Sequence, residues 1–493
     1  MFLLPLFACA PVQITLDKPV GDSGSVDSGM DSGPDSGADS DSGVDSGEDS
    51  GADSDTDTAI QDSYAAVSNV TATVDPDVHT LIHVTWTQDE AADGAWLEFG
   101  LDGEDTMTSP VRAGGAGLHE EVILGVPAES DVHWRIVNQA GAEVLYSEET
   151  WTTTTGVLPN DLPDATVVRY DPTLASPERW VLGSIDVGDY WYYGPFWAFI
   201  VDRYGRYVWY HEIPDSKLAL YVQPAESGDH VFLDGSTQYV FHGSVDPTVT
   251  RMTLDGRYFN ETVIPDYGFA IEEKGDGSIL YEWRGTGDYE LHSVDASGHD
   301  SALWSCNDYM RSIGAASGTR CNPNTIVWDA KRNTVFWSMY YIDTVLEVDL
   351  DDGTTLRQFG QLAGGWTFDP ADSVVDYQHY VNWSPTGTIM ASTHVTTERD
   401  VQVCNEYAVD DRTQTLTRVW QYESPDYYAE YAGECVRLAN QNTLVGYGVD
   451  GALVEITHDQ QVAWEITWDR VPNTHLIGHM TLTDDLYPWN EGP

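Results

Sequence analysis

The chain has 493 residues, room for more than one domain, and a formal net charge of −59 from 81 acidic and 22 basic residues. A field this negative repels phosphate backbones, which excludes nucleic-acid binding, and serves solubility. Hydrophobic residues make up 41%, and the 18 Trp and 27 Tyr point to strands and large packed cores.

The first 20 residues read as a lipoprotein-type signal and anchor region. The apolar start ends in Leu6-Phe7-Ala8-Cys9, which resembles a bacterial lipobox, with bulky Phe7 where a small residue is usual and no basic stretch before it. That resemblance implies lipidation at Cys9, export to the bacterial cell envelope (periplasm or cell surface), and membrane contact through the lipid alone. No later segment approaches the roughly 18 uncharged apolar residues that a membrane helix needs.

Residues 21–63 form an Asp/Ser/Gly-rich linker. Asp-Ser-Gly recurs from Asp22-Ser23-Gly24 to Asp49-Ser50-Gly51, with twelve acidic residues and no basic ones before residue 59. Such a segment buries too little apolar area to offset its ordering entropy, so a disordered, self-repelling spacer is expected. A calcium array is the competing reading, but the alternating ligands and closing Glu of a calcium loop are missing.

Residues 64–158 read as a small fibronectin III/Ig-like β-sandwich. Short alternating runs occur at 70–74, 82–86, 96–100, 121–124 and 132–137, with turn residues between them and Trp86 on an early strand. Such a module caps or orients the larger domain C-terminal to it.

Residues 159–493 repeat a strand–turn–strand grammar. Runs at 197–202 and 207–210, then 230–233, 238–241 and 249–254, then 269–271 and 279–283, then 325–329, 334–338 and 345–350, are followed by units spanning 379–422 and 435–468. Asp276-Gly277 and Asp352-Gly353 are hairpin-turn signals. Six such units predict an all-β, six-bladed β-propeller, with a double-sheet jelly roll as the alternative. No stretch shows sustained helical periodicity. The four cysteines after Cys9 predict two disulfides in an exported chain. Cys306–Cys321 and Cys404–Cys435 are the favoured pairs, because each closes a loop within or between neighbouring units; four buried thiols are the other reading.

Three segments resemble the bacterial arylsulfate sulfotransferase family of propellers. They are Asn322-Pro323-Asn324-Thr325 with the strand containing Ser338-Met339-Tyr340; Tyr377-Gln378-His379 followed by Glu406-Tyr407; and the closing run from Gly433 to Ile466. The resemblance covers roughly residues 180–490. The resemblance implies transfer of a sulfuryl group from an aryl sulfate to a phenol through a sulfohistidine, with no cofactor. His379 matches the nucleophile, and Asn322, Asn324, Tyr340 and His394 are expected to bind substrate. Three positions depart from the family pattern. Asn322 stands where it has a histidine, Tyr340 where it has an arginine, and Gly268-Phe269 near another histidine. His394, Arg399, His475 and His479 are candidates to reach the axis in their place.

Each of these residues also has a structural reading. His379 can be a hydrogen-bonded core histidine, Asn322 and Asn324 can shape a turn around Pro323, and Tyr340 can be an ordinary strand aromatic. His475 and His479 are four apart, but no third metal ligand is apparent, so no metal site is expected. No Gly-rich phosphate loop or Gly-x-Ser-x-Gly elbow is present, which argues against a nucleotide cofactor and a serine esterase. The expectation is an arylsulfate sulfotransferase-like enzyme. The alternative is a catalytically degenerate propeller that binds a ligand or protein at the cell surface.

Overall fold

Burial alternates along the strands that the sequence pattern predicts. Ile82–Gln88 buries every second residue, as does Trp96 to Phe99. Trp180–Asp186 and Phe196–Asp202 are buried throughout, as apolar runs sealed on both faces should be. The computed structural model describes residues 65–187, 195–213, 217–237, 246–285, 288–315, 319–395, 398–468 and 476–493, without the side chains of 399 and 400. The expected anchor at Cys9, the acidic linker, the strand at 238–241 and His475 lie outside the described residues.

The protein is mostly β, and its sheets are almost entirely antiparallel. The N-terminal part has two sheets. One joins Val67–Val74, Ile82–Gln88 and Gly117–Ile123; the other is centred on Gly94–Gly100 and Asp131–Ala140. Trp86, Leu97, Phe99, Trp134 and Ile136 fill the space between them. Their core runs on without a break into Leu182, Ile200, Trp209 and Phe232 of the following sheets. Thr80 Oγ1 donates to Val208 O at 2.7 Å, and Tyr487 Oη donates to Val122 O at 2.9 Å, so both ends of the chain are pinned across this junction.

Six sheets of four or five strands follow. The second runs from Val222–Pro224 to Phe259–Val263, the third from Tyr267–Glu273 to Asp300–Ser305, and the fourth from Pro323–Asp329 to Thr355–Gly360. The fifth runs from Val381–Trp383 to Thr415–Glu423 and gains Thr367–Asp369 as a parallel edge strand. The first and the last are completed by strands from opposite ends of the chain. Trp180–Asp186 pairs with Leu476–Ile477 and Thr481–Thr483, while Ala165–Tyr170 pairs with Val462–Trp468 of the sixth sheet. The C-terminal segment passes so close to the first sheet that a Cβ on Gly478 would run into Ser184 Oγ and the Leu220 carbonyl.

Both favoured disulfides form. Cys306–Cys321 closes the loop between the third and fourth sheets, and Cys404–Cys435 ties the fifth sheet to the sixth, with Cα separations of 6.2 and 5.8 Å. The first disulfide encloses a helix, Cys306–Ser312, that the sequence pattern does not predict. Two turns are too short to establish a 3.6-residue period, and its start is set locally by the Ser305 side chain accepting from Asp308 N.

The scarce arginines serve as clamps between sheets. Arg203, from the first sheet, meets Glu455 of the sixth at 3.0 Å and lies 4.8 Å over the Trp464 ring. Arg437 of the sixth meets Glu406 of the fifth at 2.5 Å, with Trp420 beneath it at 4.4 Å. Arg251 of the second pairs with Glu273 of the third. Glu455 is fully buried and also accepts from Ser176 N and Asn442 Nδ2, both at 2.6 Å. Removing one member strands a buried charge. Arg203→Met is therefore expected to lose about 3–5 kcal/mol in urea unfolding. The exposed Arg412→Met should change stability by about 0.5 kcal/mol or less. The double variant Arg203→Met/Glu455→Met should recover much of the loss.

Candidate functional site

The segment that carries His379 is fixed before any ligand arrives. Tyr377 has φ of 46°, a left-handed conformation that a bulky residue adopts only under constraint, and its N–H donates to Asp343 Oδ1 at 2.9 Å. The next residue, Gln378, is buried; its Nε2 donates to Ser338 Oγ at 3.2 Å and to Thr344 O at 3.1 Å. Its carbonyl accepts from Asn324 Nδ2 at 2.8 Å. His379 N then donates to Ser392 O at 3.1 Å, and His379 O accepts from Thr325 Oγ1 at 2.5 Å. The histidine backbone is thus held between its own sheet and the preceding one.

His379 lines a cavity of about 440 Å³. The wall takes residues from the edge strands of successive sheets: Leu220 and Tyr221, Phe269, Asn322 to Thr325, His379 and Tyr380, Gly433 and Glu434, and Gly478 and His479. Asn322, Asn324 and Tyr340 line it as expected. Asn322 sits at φ of 45°, so it makes the turn before Pro323 and contributes to the wall at once. Asn324 Oδ1 is buried without a hydrogen-bond partner, and the Asn324 carbonyl accepts from the Tyr221 hydroxyl. Tyr340 is in the 3-10 turn Tyr340–Ile342, its ring 5.2 Å from that of His379. His394 is not in the cavity wall. It is buried behind His379, with ring centroids 6.0 Å apart, because the strand Ile389–Val395 lies one step outward from the wall. Of the other substitutes, His479 reaches the cavity, while the Arg399 side chain and His475 lie outside the described residues.

Burial, reinforced by the neighbouring His394, pulls the His379 pKa down to about 3, so its imidazole is neutral near pH 7. Its Nδ1 is sealed from solvent and has no hydrogen-bond partner, which leaves Nε2 as the ring nitrogen able to meet a ligand. His479 is different. Burial opposes its charge, but the Glu434 carboxylate, 2.7 Å from Nδ1, more than offsets this and raises its pKa. Glu434 also accepts from Met480 N at 2.9 Å, and the Tyr380 ring stacks on His479 at 5.2 Å.

Sequence reasoning missed Tyr221, Tyr380, Tyr431 and Glu434. Each is an ordinary strand or loop residue by pattern, and nothing in its local sequence marks it as facing the centre. Among the described residues six Tyr and Phe rings line the cavity, and no Lys or Arg does.

This arrangement defines a mostly-β protein whose successive antiparallel sheets converge on one aromatic cavity. No family model and no curated protein matches the chain. Among solved structures it is similar to a streptogramin B lyase, at 14% identity and a TM-score of 0.37, over 65% of this chain and 98% of that one. It is also similar to a catalytically inactive virginiamycin B lyase from Staphylococcus aureus, at 10% identity and 0.36, over 61% and 87%. A protein from Lactobacillus plantarum is similar at 11% identity and 0.37, over 78% and 99%. Likeness at this level assigns no activity.

Behind Tyr221, Asp234 is fully enclosed and accepts from Tyr221 N at 2.8 Å; burial pushes its pKa up to about 7. The unfolded chain ionises this group near pH 4. Between pH 4 and 7 the folded state therefore holds a proton that the unfolded state has released, and the stability contribution present at low pH is lost as pH rises. Measured by thermal unfolding, the Tm difference between Asp234→Asn and the natural chain should move in the variant's favour as pH rises from 4 to 8.

Proposed function

We propose that the cavity binds an aryl compound and that His379 is its reactive group, in sulfuryl transfer of the arylsulfate sulfotransferase type. The observation that carries this reading is a neutral imidazole lining an aromatic cavity, on the segment whose sequence resembles that family. In the first half-reaction the imidazole lone pair attacks sulfur. The S–N bond forms, the S–O bond to the aryl group breaks, and its electron pair leaves on the phenolate. In the second, a phenol oxygen attacks the same sulfur, the S–N bond breaks with its electron pair returning to His379, and the acceptor's proton passes through solvent to the departed phenolate. Neutral imidazole is competent for this without a base to deprotonate it.

In this reading the six sheets are the blades of a six-bladed propeller, and the cavity lies on its axis. The two N-terminal sheets are a fibronectin III/Ig-like sandwich. Cys9 is the site of a lipid anchor in the bacterial envelope, and the acidic tract is the spacer behind it. The two disulfides, and the lack of any helix among the described residues long and apolar enough to cross a membrane, are compatible with export.

A second reading is favoured by one observation, that no Lys or Arg is found among the described residues of the lining. Losing a donor to a developing oxyanion costs about 10²–10³ in rate. A propeller of this descent that keeps the aryl pocket and has lost the chemistry is a binding module. Incubation with 4-nitrophenyl sulfate and phenol separates the two. Transfer predicts acceptor-dependent nitrophenol release, reduced about 10²-fold or more in His379→Ala. Release should persist from pH 7 down to pH 5, because His379 stays unprotonated there. No release, or release unchanged in the variant, leaves the binding module.

A further inference from the structure

The charge and the lining of the cavity narrow the aryl compound further. Tyr340 and Tyr341 form one aromatic group, with centroids 5.6 Å apart, and Tyr221 and Phe269 form another at 6.1 Å. Between them the wall presents Tyr380 and the carboxylate of Glu434. Ring faces carry negative quadrupole charge and attract ammonium groups. Among the described residues the one cationic candidate in the wall, His479, is paired with Glu434, and each offsets the other's charge. The whole chain, at −59, steers cations inward and anions away.

We infer that the cavity selects an aromatic ligand bearing a protonated amine, its ring held among the tyrosines and its ammonium group over their faces. This rests on reading the cavity as an aryl site and does not depend on sulfuryl transfer. The volume of about 440 Å³ suits a single-ring ligand with a short side chain. An aryl carboxylate of the same size would set its negative charge against the same ring faces, with no Lys or Arg among the described lining residues to meet it.

Calorimetry on the full chain with three matched probes tests this: 4-(2-aminoethyl)phenol, 4-ethylphenol and 4-hydroxyphenylacetate. The amine is expected to bind roughly tenfold tighter than 4-ethylphenol, with an affinity that falls as salt rises. The carboxylate should bind weakest. Tyr341→Leu, at a rim position 59% exposed where the fold is not at risk, should weaken the amine more than 4-ethylphenol. Equal binding of the amine and 4-ethylphenol, or tighter binding of the carboxylate, overturns the inference and leaves the aryl site standing. If none of the three binds, both fall. Amine binding without nitrophenol release in the transfer assay upholds the inference and rejects the chemistry.

Discussion

The structure depends on the pairing of the chain's two ends. Ala165–Tyr170 completes the sheet made by the last long strands, and Leu476–Ile477 and Thr481–Thr483 complete the sheet made by the first. Neither end sheet is whole until chain segments about 300 residues apart have met, which costs loop entropy. The cavity inherits this dependence. Gly478 and His479 belong to the closing segment, so the wall that faces Tyr380 exists only after closure. The Arg203–Glu455 clamp, backed by Trp464, stands at the same seam and holds it shut.

That use of arginine bears on the chemistry. With 22 basic residues against 81 acidic ones, each cation committed to a seam is one fewer at the centre. Arg203, Arg437 and Arg251 are fixed in sheet-to-sheet pairs, and the cavity lining has none. What remains there is hydrogen-bonding and aromatic: asparagine amides, tyrosine rings, a neutral His379 and a His479 whose charge is answered by Glu434. The local electrostatics therefore favour a neutral or cationic aryl ligand over an anionic one. The positions bordering the cavity also concentrate backbone strain. Asn322, Tyr377 and Ala432 all have left-handed φ values, and the Tyr377 N–H is held by Asp343 of the preceding sheet.

Much of the architecture was legible because strand periodicity and turn chemistry are local signals. Runs such as 82–86, 197–202 and 334–338 became strands within a residue or two, and Asp276-Gly277 and Asp352-Gly353 became turns. The disulfide pairs were readable because each joins cysteines consecutive in sequence, 15 and 31 residues apart, within or between neighbouring units. The helix at Cys306–Ser312 was not, since it is too brief to show a period. The site was legible only in part. His379, Asn322, Asn324 and Tyr340 could be named from their neighbours in sequence, whereas Tyr221, Tyr380 and Glu434 could not, because facing the centre is decided by which strand edge turns inward.

The sequence alone determined a strand-built, strongly acidic chain with repeated sheet units, two disulfides and a short set of polar residues around His379. Composition, a period of two, and spacing are enough for the strands, sheet units and disulfides, while the residues around His379 follow from the resemblance of short segments. The tertiary structure decided which sheets share strands, that His394 lies behind His379 and His479 beside it in the wall, and that the arginines go to the seams. Those outcomes depend on contacts between residues up to several hundred positions apart, and no local preference encodes such a contact.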